Sequence, residues 1–138
     1  MDELTNMATK LSLASLPSLP ENVAKPAYAR ADLSPGIVHV GVGNFHRAHQ
    51  AVYLHRLFES GRDHDWATVG AGVKPYDAAM RAKLESQDWL TTVVELDPKG
   101  FSATVTGSMI GFADVDPSAL IDTMARPEIR IVSLTVTE

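Results

Sequence analysis

Cysteine is missing from all 138 residues. That absence excludes a disulfide framework and any thiolate metal centre, and it fits a cytoplasmic protein. Positive charge is also scarce: 12 Lys and Arg stand against 17 Asp and Glu, a formal net charge of −5. A chain that coats nucleic acid carries the opposite balance, so no nucleic-acid partner is expected. No apolar run is long enough for a transmembrane helix, and the acidic start Met1-Asp2-Glu3-Leu4 does not read as a signal peptide, so no membrane partner is expected either. Internal repeats, low-complexity tracts and linker-like stretches are absent. The remaining composition, 45% hydrophobic and 21% charged, is that of one soluble globular domain.

The most informative stretch is Gly36-Ile37-Val38-His39-Val40-Gly41-Val42-Gly43-Asn44-Phe45-His46-Arg47-Ala48-His49-Gln50. Ile37–Val42 is a short, β-branched apolar run, the pattern of a buried strand. A helix follows across Gly41 and Gly43. A strand that feeds a helix through Gly-x-Gly turns tightly and leaves backbone N–H groups open to a phosphate. The full dinucleotide fingerprint is G-x-G-x-x-G, and His46 occupies its third glycine position. On local grounds two readings stand, an ordinary strand-to-helix turn and a pyrophosphate cradle.

Residues 1–35 read as a packing arm. A short helix is possible over residues 3–14, and Pro17, Pro20 and Pro26 preclude a long one. Beyond strand 37–42, the spacing of Ala48, Ala51, Val52, Leu54, Leu57 and Phe58 predicts a helix over 47–60 with one buried stripe. Trp66–Ala71 is the second strand, which completes a βαβ unit. A helix over 76–87 comes next. The alternating segments Leu90–Leu96 and Phe101–Ile110 form a β-hairpin around Asp97-Pro98-Lys99-Gly100, inserted into the βα alternation. Asp116 as N-cap and Pro117 at the first helical position open a helix that ends near Ala125. Arg130–Thr135 is a further strand, and the run Ile131–Glu138 ends without a closing element. The expected fold is an α/β, Rossmann-like dinucleotide-binding domain over 36–138 with a hairpin insertion, incomplete at its carboxyl end.

Several residues are candidates for chemistry. Arg47, in the first helical turn, stands where a guanidinium reaches phosphate oxygens, or it is a plain surface arginine. Asn44 and Phe45 offer backbone contacts at the turn, and Phe45 flanks a nicotinamide or packs beneath it. Asp77 follows the second strand, where a carboxylate accepts the ribose hydroxyls of adenosine. Its distance from Gly43 exceeds the usual spacing of about 20 residues. Asp63 and Asp65 are nearer in spacing but precede that strand, on the wrong edge. The simpler alternative is that Asp77 caps its own helix. All five histidines lie between His39 and His64. With no cysteine and no HExxH motif, no metal site is expected, and His39 reads as a core histidine with one bonded nitrogen. Thr135, Thr137 and Glu138 fall at a strand's carboxyl edge, where the backbone at Leu134–Thr135 is placed to touch a cofactor ribose. Glu138 is either a proton-path residue or a surface acid. No lysine occupies a believable position for a catalytic base.

The run GIVHVGVGNFHRAHQAVYLHRL resembles the amino-terminal domain of the polyol-specific long-chain dehydrogenases, the mannitol 2-dehydrogenase family. The resemblance runs from about Tyr28 to the end of the chain. It implies NAD as cofactor, bound by Gly41, Val42, Gly43, Asn44, Phe45, His46 and Arg47. An acid at the position matching Asp77 binds the ribose in that family, and Tyr76 stands where the family often has a second acid. It further implies hydride transfer between a polyol and a ketose. The base lysine, the asparagines and the histidine that act on the substrate fall beyond residue 138, in a helical carboxyl-terminal half, so no catalytic residue is expected here. Members are commonly monomeric and not zinc-dependent. A fructuronate- or mannonate-type reductase of the same family, and a non-catalytic nucleotide-binding module, are the alternatives.

Overall fold

The computed structural model describes residues 8–137. Its centre is a four-stranded, all-parallel sheet of β2 (Pro35–Val40), β3 (Ala67–Ala71), β6 (Met109–Phe112) and β7 (Ile131–Leu134), in the order β6-β3-β2-β7. Parallel strands need crossovers, and each join carries one. Helices α1 (Asn44–Ala48) and α2 (Gln50–Glu59) link β2 to β3, and α3 (Pro75–Glu85) follows β3. Helix α4 (Pro117–Met124) links β6 to β7. The second strand and the fourth helix follow the sequence expectation closely. Asp116 accepts hydrogen bonds from the N–H groups of Ser118 and Ala119, as its N-cap role requires.

Helices cover both faces of this sheet. Leu120 and Met124 of α4 pack with Val38, Val40 and Ala71. Neighbouring His39 points to the opposite face, against α1. Leu54, Leu57 and Phe58 of α2 close a second cluster on Ala67 and Leu33. Leu84 and Met80 of α3 close a third with Val42, Met109 and Phe112. Burying a side chain such as Phe58, which is 1% exposed, stabilises the fold by about 2 kcal/mol.

A second sheet has the order β1-β5-β4. Strands β4 (Thr91–Asp97) and β5 (Gly100–Thr106) form the antiparallel hairpin, with Asp97 opposite Gly100 across the turn. Two-residue β1 (Val23–Ala24) lies parallel to β5. The expected strand 101–110 is therefore two strands in two sheets. Its switch point is Gly107-Ser108, where the Gly107 N–H donates to Tyr28 Oη at 3.2 Å and Ser108 Oγ donates to the Ala51 carbonyl at 2.7 Å.

Two helix expectations also change. Residues 8–14 form no helix, and the rest of the expected helix over 3–14 lies outside the described residues. The helix expected over 47–60 begins at Asn44 and kinks at His49, whose φ of −122° and ψ of −82° leave helical values. Bonds from His49 N to Phe45 O and from Tyr53 N to His49 O persist on either side, so the axis bends rather than ends.

The amino edge of the sheet is clamped. Arg130 lies 3.7 Å over the Trp66 ring and pairs with the Asp65 carboxylate at 3.0 Å. The β7 flank is open: among the described residues β7 pairs only with β2, and Ile131, Val132 and Leu134 are 45%, 43% and 65% exposed.

The arm is fixed by a buried polar chain. Tyr28 Oη accepts from Gly107 N and donates to His55 Nδ1 at 2.5 Å, and His55 Nε2 faces Glu59 Oε1 at 3.3 Å. This pattern puts the imidazole proton on Nε2. Tyr28→Phe keeps the ring contacts with Phe58 but removes the hydroxyl bridging Gly107 N–H and His55 Nδ1, which are left with only the long 3.4 Å bond between them. The variant is expected to lose about 1–3 kcal/mol of stability, read as a lower urea midpoint at unchanged m-value.

Candidate functional site at the carboxyl edge of the sheet

Because all four strands of the central sheet are parallel, the segments that leave them share one edge. The strand order reverses between β2 and β7, the switch point at which open α/β sheets bind ligands. Gly41 leaves β2 with φ +93°, a value that L side chains rarely adopt. Its N–H donates to the Ala71 carbonyl at 3.0 Å, and Thr135 N donates to the Val40 carbonyl at 3.1 Å. The turn is thus fastened to both neighbouring strands.

Gly43 differs. Its backbone is extended, with φ −123° and ψ −162°, which any residue adopts. A Cβ built on it meets nothing within 4 Å. Neither local conformation nor packing within this segment calls for glycine there, and the open space lies directly over the turn.

The candidate residues around this turn are brought together. The Val42 side chain is buried in the α3 cluster, so only its backbone faces the edge. Asn44 is exposed and accepts from the Arg47 guanidinium at 2.7 Å. Arg47 Nε also donates to the Gly43 carbonyl at 3.3 Å, which folds the cation back over the turn. Phe45 is 66% exposed, its ring 4.7 Å from that of His49.

Asp77 stands apart, one strand over, where the chain leaves β3. It is 3% exposed, and its Oδ2 accepts from the N–H groups of Val73 and Lys74 at 3.1 and 2.9 Å. The carboxylate thus caps the amino end of α3, as the simpler sequence reading held. It also presses on Gly72, where an added Cβ would lie 2.2 Å from Asp77 Cγ.

His46, at the third fingerprint position, is 1% exposed and lies flat on His39, with ring centroids 4.0 Å apart and planes 15° from parallel. A third glycine normally permits close packing of helix on strand; here a pair of stacked rings fills that space. His39 has both nitrogens engaged, Nδ1 with Ser133 Oγ at 2.7 Å and Nε2 with Thr135 Oγ1 at 2.8 Å. This corrects the expectation of one bonded nitrogen: β7 presents two hydroxyls in register with the ring. Burial lowers the pKa of His39. Burial, with His39 alongside, pushes that of His46 down to about 3. Both rings are neutral at pH 7.

Between β2 and β7 these residues line a cavity of about 530 Å³ with Phe45, Gln50, Leu134, Val136 and Thr137. Gln50 and Ser133 were not singled out from the sequence. The signal for Gln50 was its place four residues after His46, which puts both on one helical face. Glu138 lies outside the described residues. Among the described residues no three of His, Asp and Glu gather as a metal site, and no helix is long and apolar enough to cross a membrane.

Residues 35–138 match the family profile described as the mannitol dehydrogenase Rossmann domain. The chain belongs to the mannitol dehydrogenase family. Among the relatives of this family, a mannitol 2-dehydrogenase of Cereibacter sphaeroides is 61% identical over 119 residues, covering 85% of this chain and 25% of its own length. A mannitol 2-dehydrogenase of Pyricularia oryzae is 47% identical, covering 96% of this chain and 28% of its own. The solved ternary complex of Pseudomonas fluorescens mannitol 2-dehydrogenase with NAD and D-mannitol superposes with a TM-score of 0.87 at 45% identity. It covers 92% of this chain, which spans 26% of it. A substrate-free D-sorbitol dehydrogenase gives a TM-score of 0.80 at 38% identity, with 93% of this chain covered and 27% of the other. The chain therefore spans about a quarter of the length of these relatives.

The histidines set a pH dependence. The pKa values of His39, His46 and His55 are all lowered in the fold, mainly by burial, so below about pH 6.5 the unfolded chain binds more protons than the native one. Their contribution to stability is complete above pH 6.5 and is lost as pH falls toward the native values, about 3 for His46. Each such histidine adds a slope of up to about 1.4 kcal/mol per pH unit. Urea melts between pH 7 and 5 should show this decline, reduced in His46→Phe.

Proposed function

We propose that this segment is the cofactor-binding amino-terminal portion of an NAD-dependent polyol dehydrogenase. The enzyme interconverts mannitol, or a closely related sugar alcohol, and fructose by hydride transfer, and it acts in the cytoplasm. The carrying observation is Gly43: a glycine demanded by neither conformation nor packing, open at the switch point of a parallel sheet. Such a position suits a bound group that must approach the backbone closely.

In this reading the Gly41–Arg47 turn takes the pyrophosphate. Gly41 turns the chain, and the backbone of Val42, Gly43, Asn44 and Phe45 lines the approach. Arg47 supplies positive charge from a side chain already held against the turn. Asp77 stands on the β3 side for the adenosine ribose, its oxygen Oδ2 committed to the α3 cap. His46 and Phe45 face the β7 side. NAD, when bound, supplies the hydride acceptor. Acid–base catalysis falls to a carboxyl-terminal half outside this segment, in keeping with a chain that spans about a quarter of its relatives. The names of those relatives favour a sugar alcohol over a sugar acid as substrate.

Gly43→Val in the full-length enzyme tests the reading. Stability should fall by only about 1 kcal/mol, because an added Cβ meets nothing within this segment and the main loss is that of a glycine N-cap of α1. Affinity for NAD should fall at least tenfold, measured by NADH fluorescence titration. Unchanged NAD affinity would refute the proposal.

A further inference from the structure

The hairpin of β4 and β5 has its polarity inside out. An antiparallel sheet with one solvated face normally buries its apolar side chains and exposes its polar ones. Here the face turned to α2 carries Glu95, Thr104 and Thr106, which line a cleft with Val52, His55 and Glu59. Ser102, directly opposite Glu95, shares that face. The face turned away from α2 carries Val94, Leu96, Phe101 and Ala103, paired across the strands as Leu96 with Phe101 and Val94 with Ala103. Leu96, Phe101 and Val94 are 82%, 67% and 52% exposed. Large apolar side chains set together on one exposed face mark an interaction surface.

This face is preformed. The strands stay in register from the Thr91–Thr106 pair to the Asp97–Gly100 pair, β1 holds the far side of β5, and Asp97 Oδ1 accepts from Lys99 N at 2.7 Å in the tip. Little ordering is left to be lost when something docks on it.

Place and size together select the occupant. Among the described residues the other side of β4 is unpaired and runs beside α1, where Thr92 and Val94 line a groove of about 240 Å³ with Asn44, Arg47 and Ala48. A body seated on the hairpin therefore lies next to the Gly41–Arg47 turn. The three exposed side chains present a patch on the order of 300–400 Å², about half of the roughly 800 Å² that each partner buries when separate chains associate stably. Parts of one polypeptide need less, because the tether keeps them at high effective concentration. This chain spans about a quarter of the length of its relatives, so most of such an enzyme is available to cover the patch from within.

We infer that the outer face of the hairpin is the seat of the carboxyl-terminal part of the same polypeptide, with Leu96 and Phe101 as its anchors. The inference rests on the reading above, in which that part supplies the acid–base groups. Groups that must meet a cofactor on the Gly41–Arg47 turn need a rigid support beside it, and the hairpin provides one.

The test uses the full-length enzyme with p-benzoylphenylalanine in place of Phe101 or, separately, of Leu96. Irradiation should join either position to peptides from beyond residue 138 of the same chain, at monomer mass and with a yield unchanged by tenfold dilution. A product of twice that mass, lost on dilution, overturns the inference in favour of a second copy. Reaction with neither, at both positions, overturns it as an open face. A labelling experiment gives an independent readout: in full-length Leu96→Cys, maleimide should modify residue 96 at least about tenfold more slowly than residue 62 in Arg62→Cys, which lies in an exposed loop. Equal rates overturn the inference. NAD titration of the same proteins reports on the cofactor reading separately: cross-links to the carboxyl-terminal part without any NAD binding would sink that reading and uphold the docking.

Discussion

Every part of the candidate site depends on how the chain leaves β2. That strand is bonded on both sides, to β3 and β7, so its last residues have no freedom to drift. The bonds from Gly41 to Ala71 and from Thr135 to Val40 carry this constraint past the end of the strand. With φ at +93°, Gly41 then swings the chain into α1 within three residues. The Arg130 clamp at the opposite edge completes the frame: one edge of the sheet is tied shut by Trp66 and Asp65, and the other carries the open turn.

Much of this was legible because it follows from local rules. The β-branched run before Gly41, the Asp116-Pro117 helix start and the alternation of the hairpin each state their structure within a few residues. Features set by distant partners were not legible. The alternation that marks residues 101–106 lapses at Gly107-Ser108, and the bonds to Tyr28 and Ala51, remote in sequence, show why the strand divides there. His39 looked like an ordinary core residue because its two hydroxyl partners arrive on β7. Asp77 meets the simpler of its two sequence readings: its buried carboxylate caps α3 through Val73 and Lys74.

The histidines show how one residue type serves different ends in one fold. His55 finishes a chain from Gly107 through Tyr28 to Glu59 and so ties the arm to α2. His39 is a spacer with satisfied edges. His46 is equally buried yet left wanting on both edges, which is unusual for a polar group so deep. The same neutral imidazole is bonded in two places and without a partner among the described residues in the third, and its neighbours make the difference.

The open flank of β7 bears on how such a chain is made. Translation runs from the amino end, so β2, β3 and β6 emerge before β7, which closes the four-stranded sheet last. The outer rim of β7, with Ile131, Val132 and Leu134 uncovered, is a sticky template for any extended peptide nearby.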